Sequence, residues 1–367
     1  MRIERAVLRE IPLTLAEPFQ SSAGVVTHRR VVLLSLHADG LEGWSECVAL
    51  SAPTYTYETT DTAWQVLTEI ILPGVVGLEV SDPEEVLWPA REVRGHPMAK
   101  AAVEMAMWDL TARERGVSLA ELLGGVRKTV SVGVSVGMMP TSEELGDTIE
   151  RHLMDGYTRV KVKIAPGRDV LVLTALRERF PDLALWADAN SAYSLEDAPL
   201  LRELDALRLD MIEEPLPSGD FLSYARLQER IETPICLDES IVSEGDAALA
   251  VELGSCRIVN LKPGRVGGLS QSRRLHDLLT AAGLSVWCGG MLESGVGRAH
   301  NVALASLPGF DLPGDISASR RYWERDIVTP EFEVTGGEMS VPTGVGIGVD
   351  VDVERIDSLA VRTAEFA

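Results

Sequence analysis

Five charged residues recur at nearly equal spacing in the second half of the chain. Lys163 to Asp188, Asp188 to Glu213 and Glu213 to Asp238 are each 25 residues apart, and Asp238 to Lys262 is 24. A single Asp at the end of an apolar run is more often a helix cap than a ligand; five charges in phase are not readily produced that way. Three acids brought together repel one another unless a divalent cation sits among them. An all-oxygen donor set with no His or Cys suits Mg2+, with Mn2+ able to substitute. A cation on both oxygens of a substrate carboxylate stabilises the enediolate formed as the α-proton leaves, and one lysine can be the base. A second lysine on the opposite side can hold charge against that intermediate or return a proton from the other face. Proton abstraction α to a carboxylate is the chemistry these residues share. Lys161 lies two residues before Lys163, on the same face of an extended strand. Its charge is expected to depress the Lys163 ammonium and so favour a neutral base.

The elements that must position these residues repeat with the same period. Short β-branched runs begin at Val130, Thr158, Leu183, Leu209, Thr233, Ser255 and Leu284, with a weaker one from Phe310 to Ile316. Amphipathic stretches such as Ser142 to Asp155, Asp169 to Phe180 and Leu269 to Ala282 lie between them. Strands alternating with helices predict a parallel sheet. Eight of them in about 215 residues predict a (β/α)8-type barrel, whose active sites lie at the carboxyl ends of the strands. Asp188, Glu213 and Asp238 would then form one arc of the barrel mouth, with Lys163 and Lys262 facing each other across it.

Residues 1 to 125 read differently, as an α+β unit with a hairpin over Arg30 to Cys47 and a helix over Met98 to Arg115. Its two loops, Phe19 to Thr27 and Leu50 to Tyr57, have the small and polar composition of mobile flaps. Residues 126–340 form the expected barrel, and residues 341–367 are expected to return to the first unit.

The chain has 367 residues, with 34 basic and 56 acidic side chains giving a net charge of −22. That balance excludes nucleic acid and anionic membrane surfaces as general partners. No apolar run approaches a membrane span, and the N-terminus has no leader pattern, so a cytoplasmic protein is expected. Cys47, Cys236, Cys256 and Cys288 form no CxxC pair and read as buried reduced thiols.

The stretches Lys161-Val162-Lys163, Asp188-Ala189-Asn190, Ile212-Glu213-Glu214-Pro215, Asp238-Glu239-Ser240 and Lys262-Pro263-Gly264 resemble the muconate-lactonizing subgroup of the enolase superfamily. Gly95 to Lys100, Ser131 to Gly137, Pro234 to Ser243, Asn260 to Gly268 and Val286 to Met291 look like the o-succinylbenzoate synthases that also racemise N-acylamino acids. The likeness spans essentially the whole chain and implies a (β/α)7β-type TIM barrel under an N-terminal α+β capping domain completed by the C-terminal segment. By the same resemblance Lys163 is the general base and acid, Lys262 the opposing lysine, and Asp188, Glu213 and Asp238 the Mg2+ ligands. Ser135, Lys161, Asn190 and Met291 would meet the substrate, the two loops would set specificity, and Arg265 would modulate racemisation. One departure is Glu214, where relatives often carry Gln; it should point away from the mouth.

The implied reaction is the syn-dehydration of 2-succinyl-6-hydroxy-2,4-cyclohexadiene-1-carboxylate in menaquinone biosynthesis, with N-succinyl or N-acylamino acid racemisation alongside it. The partner is then a small dicarboxylate or N-acylamino acid, and a homo-oligomer is expected. Racemisation as the main role, muconate cycloisomerisation and dipeptide epimerisation are the alternatives within the superfamily. Epimerases carry two acids near the eighth strand to hold a substrate ammonium, and Asp315-Ile316-Ser317 offers one. Outside it stand a barrel that only binds ligand and a phosphate-binding barrel with Gly267-Gly268 as the cradle.

Overall fold

The computed structural model describes residues 1–21 and 24–367. Ser22 and Ala23, within the expected flap Phe19 to Thr27, lie outside the described residues. The rest of that flap is not loop: strands β1 (Arg5–Ser21) and β2 (Gly24–Ala38) stay paired through Phe19 opposite Val26 and Ser21 opposite Gly24. Strand β3 (Leu41–Cys47) extends this antiparallel sheet on one side, and the C-terminal segment Arg362–Phe366 pairs with β1 on the other. Helix α1 (Pro97–Arg115) packs on the sheet through small residues. Ala106 and Leu110 lie so near Gly43 of β3 that a Cβ there would strike their backbone.

The second unit is a parallel sheet of seven strands in chain order: β4 (Val134–Val136), β5 (Arg159–Lys163), β6 (Ala184–Asp188), β7 (Met211–Glu213), β8 (Ile235–Leu237), β9 (Ile258–Leu261) and β10 (Ser285–Cys288). The weak eighth run, Phe310 to Ile316, is not a continuous strand. Pro313 has no N–H to donate, and the segment closes the ring by single bridges from Phe310 to Val286 and from Gly314 to Val132. The expected first strand is also divided. Thr129–Ser131 pairs antiparallel with Glu338–Ser340, and only Val134–Val136 joins the parallel sheet. Between them a Cβ on Gly133 would strike the Arg159 guanidinium. The architecture is a (β/α)7β-type barrel with an N-terminal α+β capping domain. Among the described residues no helix is long and apolar enough to cross a membrane.

Alternation along the strands sorts the barrel interior into layers. Trp186, Met211, Cys236, Ile258 and Trp287 form a separate buried apolar cluster at its base. Two residues further along four of these strands come Asp188, Glu213, Asp238 and Asn260. An apolar plug thus sits directly beneath a polar layer.

The cap grips the barrel through buried acids at helix N-termini, where unpaired amides and the helix dipole favour a carboxylate. Glu104 of α1 accepts from the backbone amides of Leu269 and Ser270, both at 2.8 Å, at the start of α2 (Leu269–Ala281). It also accepts from the Trp108 indole at 2.6 Å. Glu46 of β3 accepts from the Ser294 amide at 2.9 Å, its hydroxyl at 2.6 Å and the Gly297 amide at 3.4 Å, at the start of α3 (Gly295–Ala305). Gly267-Gly268 therefore cradles no phosphate: the amides that would bind one are taken by Glu104. Glu104→Ala leaves the Leu269 and Ser270 amides without their acceptor where the cap meets the barrel and is expected to cost about 3 kcal/mol. Glu104→Gln keeps an acceptor and should cost about 1 kcal/mol. Urea unfolding midpoints measure both, and an unchanged midpoint in the alanine variant would show that those donors find water.

Candidate active site

The equal sequence spacing becomes side-by-side placement through strand register. Lys163 pairs directly with Asp188 across β5 and β6, and Asp188 pairs with Glu213 across β6 and β7. Glu213 pairs with Cys236, so Asp238 lies two residues beyond it on the same face. All three carboxylates are buried. Burial and the negative charge of Asp188 push the Glu213 carboxyl up to about 8. For Asp188 burial pulls upward, but the Lys163 and Lys161 ammoniums outweigh it and hold the group below the usual carboxylate range.

The two lysines bracket this arc. Lys163 donates to Asp188 Oδ2 at 2.7 Å and Lys262 donates to Asp238 Oδ2 at 2.7 Å. Both side chains are about nine-tenths buried, with relative exposures of 10% and 9%. Lys262 fits because β10 runs into Gly289, where a Cβ would strike Asn260 Oδ1 and lie 2.7 Å from Lys262 Cε. As the side chains stand, each acid faces a cation from the protein. Among the described residues no three His, Cys, Asp or Glu already close on a single point. The donor set nevertheless fits a hard divalent ion: three buried carboxylates on consecutive strands, with the middle one raised by burial and by its acidic neighbour.

Lys161 behaves differently from the role its spacing suggests. Its ammonium lies 2.5 Å from Glu213, 2.7 Å from Asp315 and 3.0 Å from Asp188. Burial lowers its proton affinity, but these acids raise it well above the ordinary lysine value. The Lys161 ammonium is thus directed at three carboxylates and not at Lys163. Asp315 is held in turn by Arg159 at 2.5 Å. Arg265 does not add positive charge to the open mouth either. It is fully buried, donates to Asp238, and anchors its Nε on the Ile241 carbonyl at 2.9 Å.

A cavity of about 770 Å3 opens above the charged layer, bordered from the barrel by Ser135, Asn190 and Met291 and from the cap by Phe19, Val26 and Leu50. The loop Leu50 to Tyr57 that roofs it is tied at its base. Thr60 donates its amide to the Leu50 carbonyl at 2.8 Å, and Glu58 caps α1 through the amides of Met98 at 2.8 Å and Ala99 at 3.0 Å. This anchoring delivers Tyr55 into the mouth. Its hydroxyl lies 2.9 Å from Asp238 Oδ1, 3.1 Å from Lys262 Nζ and 3.2 Å from Arg265 Nη1.

Residues 3–124 match the mandelate racemase / muconate lactonizing enzyme N-terminal domain, and residues 144–356 match the enolase C-terminal domain-like family. The chain belongs to the enolase superfamily. An o-succinylbenzoate synthase from Geobacillus stearothermophilus is 49% identical, covering 100% of this chain and 97% of its own. An N-succinylamino acid racemase from Thermus thermophilus is 50% identical over 97% of each chain. The crystal structure of an enolase-superfamily member from Listeria innocua superposes with a TM-score of 0.95 at 42% identity, covering 100% of this chain and 99% of that one. Enolase-superfamily members use Mg2+.

The sequence pattern does not mark Tyr55 and Glu239 in this site, nor Glu104 at the contact between cap and barrel. Tyr55 sits in a loop whose composition flagged it as a unit, but nothing local marks one tyrosine as the residue that crosses between domains. Glu214 points away from the cavity. Its carboxylate accepts from the Asp238 amide at 2.7 Å and from the Ser240 hydroxyl, so it braces the backbone behind a candidate ligand. Burial, opposed by those hydrogen bonds, raises its carboxyl to about 8.

Proposed function

We propose that this protein is an o-succinylbenzoate synthase, dehydrating 2-succinyl-6-hydroxy-2,4-cyclohexadiene-1-carboxylate, and that it also racemises N-succinylamino acids. The observation that carries this reading is the pair of buried lysines, each bonded to the outer acid on its side of a three-carboxylate arc. Asp188, Glu213 and Asp238 would hold Mg2+, with Mn2+ able to substitute. When bound, the ion supplies positive charge against the substrate carboxylate as its α-carbon gives up a proton.

In the dehydration, Lys163 takes the proton from C1, and its ammonium then returns one to the hydroxyl leaving C6. Hydrogen and hydroxide depart as water and the ring becomes aromatic. The Lys262 ammonium holds the negative charge spread over the carboxylate between the two steps. In racemisation, Lys163 removes the α-proton from one face and Lys262 delivers one to the other, with roles reversed for the enantiomer. Lys161 and Ser135 border the same cavity and would meet the substrate there.

Two observations weigh against the neighbouring activities. Asp315, the acid near the eighth strand that could hold the ammonium of a dipeptide, is committed to Lys161 and Arg159. Full-length relatives about half identical to this chain carry synthase and racemase names, whereas a chloromuconate cycloisomerase is 29% identical. The test is a direct assay with the cyclohexadiene substrate and with both enantiomers of an N-succinylamino acid. Complete removal of divalent ions with a chelator is expected to abolish both activities, and added Mg2+ to restore them. Turnover that survives in the metal-free protein would overturn the proposal.

A further inference from the structure

Lys163 has a second partner whose own orientation is controlled. Its ammonium donates to Asn190 Oδ1 at 2.6 Å as well as to Asp188. The other end of that amide, Nδ2, donates to Glu239 Oε1 at 3.1 Å. A lysine ammonium can only donate, whereas Glu239 Oε1 is the acceptor facing Nδ2. Flanked by one of each, the Asn190 amide has a single satisfactory orientation, with its oxygen toward Lys163. Asn190 is fixed through its main chain too: its φ is 43°, a left-handed conformation Asn tolerates better than most residues, and its amide donates to Asp188 Oδ1 at 3.2 Å.

Glu239 follows Asp238 in the chain and borders the same cavity as Lys163 and Asn190. Its second oxygen, Oε2, is buried without a hydrogen-bond partner. A buried acceptor left idle destabilises the fold, so fold stability alone gives no reason for an acid here. Among the described residues Glu239 hydrogen-bonds Asn190 and not Lys163 itself. We propose that Glu239 is a positioning residue for Lys163, acting through the Asn190 amide. With two of its N–H bonds directed at Asp188 and Asn190, the amine nitrogen has its remaining tetrahedral direction set, and that direction serves one face of the substrate. Lys262 is held by other groups, Tyr55 and Asp238. Loss of Glu239 therefore disturbs one face of the reaction and not the other.

This inference rests on the two-lysine reading above, and one experiment separates them. Exchange of the α-proton with D2O is followed by NMR for each enantiomer of N-succinylphenylalanine with the Mg2+-loaded enzyme. Lys163→Ala and Lys262→Ala assign each enantiomer to its lysine. Glu239→Ala is expected to slow exchange of the Lys163-facing enantiomer by about 10 to 100-fold. The other enantiomer should stay within about threefold. Glu239→Gln keeps an oxygen for Asn190 and should restore most of the rate, and Asn190→Ala should reproduce the one-sided loss. Equal loss for both enantiomers, the signature of a damaged metal site or fold, overturns the assignment, as does no loss. If Glu239→Ala does not fold, the presence or absence of a one-sided loss in Asn190→Ala decides between the same two outcomes. A wild-type protein that exchanges neither enantiomer would instead sink the racemase reading itself.

Discussion

Lys163→Ala is expected to lower kcat for dehydration by about 10⁴-fold, the upper end of what a positioned acid–base group contributes, because the same nitrogen serves in both steps. Its Nζ lies between Asp188 and Asn190 at the edge of the cavity. No second amine can take its place, since Lys161 is bound by Glu213, Asp188 and Asp315. KM should change little, because Lys163 is assigned to the reacting hydrogen and hydroxyl and not to the carboxylate. The three acids remain, so Mg2+ affinity, read by calorimetry, is a control for the integrity of the site. Racemisation must fail in the same variant, since each direction needs Lys163 either to take or to give a proton. A variant retaining a tenth of wild-type kcat would place the base elsewhere.

Lys262→Ala separates the two activities. Racemisation is expected to be undetectable in both directions, because among the described residues no other lysine pairs with Asp238 to serve the opposite face. Dehydration needs only one face, and there Lys262 acts by charge. Removing one such preorganised cation costs about 10² to 10³-fold. The ratio of synthase to racemase activity should therefore rise sharply. Tyr55 and Arg265 remain beside Asp238 in this variant, which limits the disturbance around the candidate ligand. Steady-state dehydration rates and polarimetry on each enantiomer give the ratio directly. Persistent racemisation would mean that the second proton comes from water or from another side chain.

Much of this site was legible because a barrel converts sequence period into angular position. The interval of 25 residues from Lys163 to Asp188 to Glu213 reappears as direct cross-strand pairing. What the period could not convey is how far a side chain leans. Lys161 and Lys163 share a face, yet Lys161 bends into a pocket of three acids because Asp315, more than 150 positions away, is held there by Arg159. The eighth strand was weakly marked for a physical reason: Pro313 has no N–H to give a ladder, and only isolated bridges form at Phe310 and Gly314. The flap at Phe19 to Thr27 misled because small polar residues occur at strand ends as well as in loops, and among the described residues Phe19 to Ser21 pair with Gly24 to Val26. Tyr55, Glu104 and Glu239 matter through partners distant in the chain or reached through another side chain, and no local pattern announces such contacts.

The two glutamates that close the barrel helices from the cap bear on how such a protein can change over time. Each supplies, from the N-terminal half, an acceptor that a helix in the C-terminal half otherwise lacks. A barrel separated from its own cap would carry two helices with open ends next to the loops that bear Lys262 and Met291. Recombining the halves of two relatives would thus fail at these seams before any substrate is met, unless both acids and both helix starts travel together. Selection on substrate preference is confined to point changes around the cavity, within a pair of domains inherited as one.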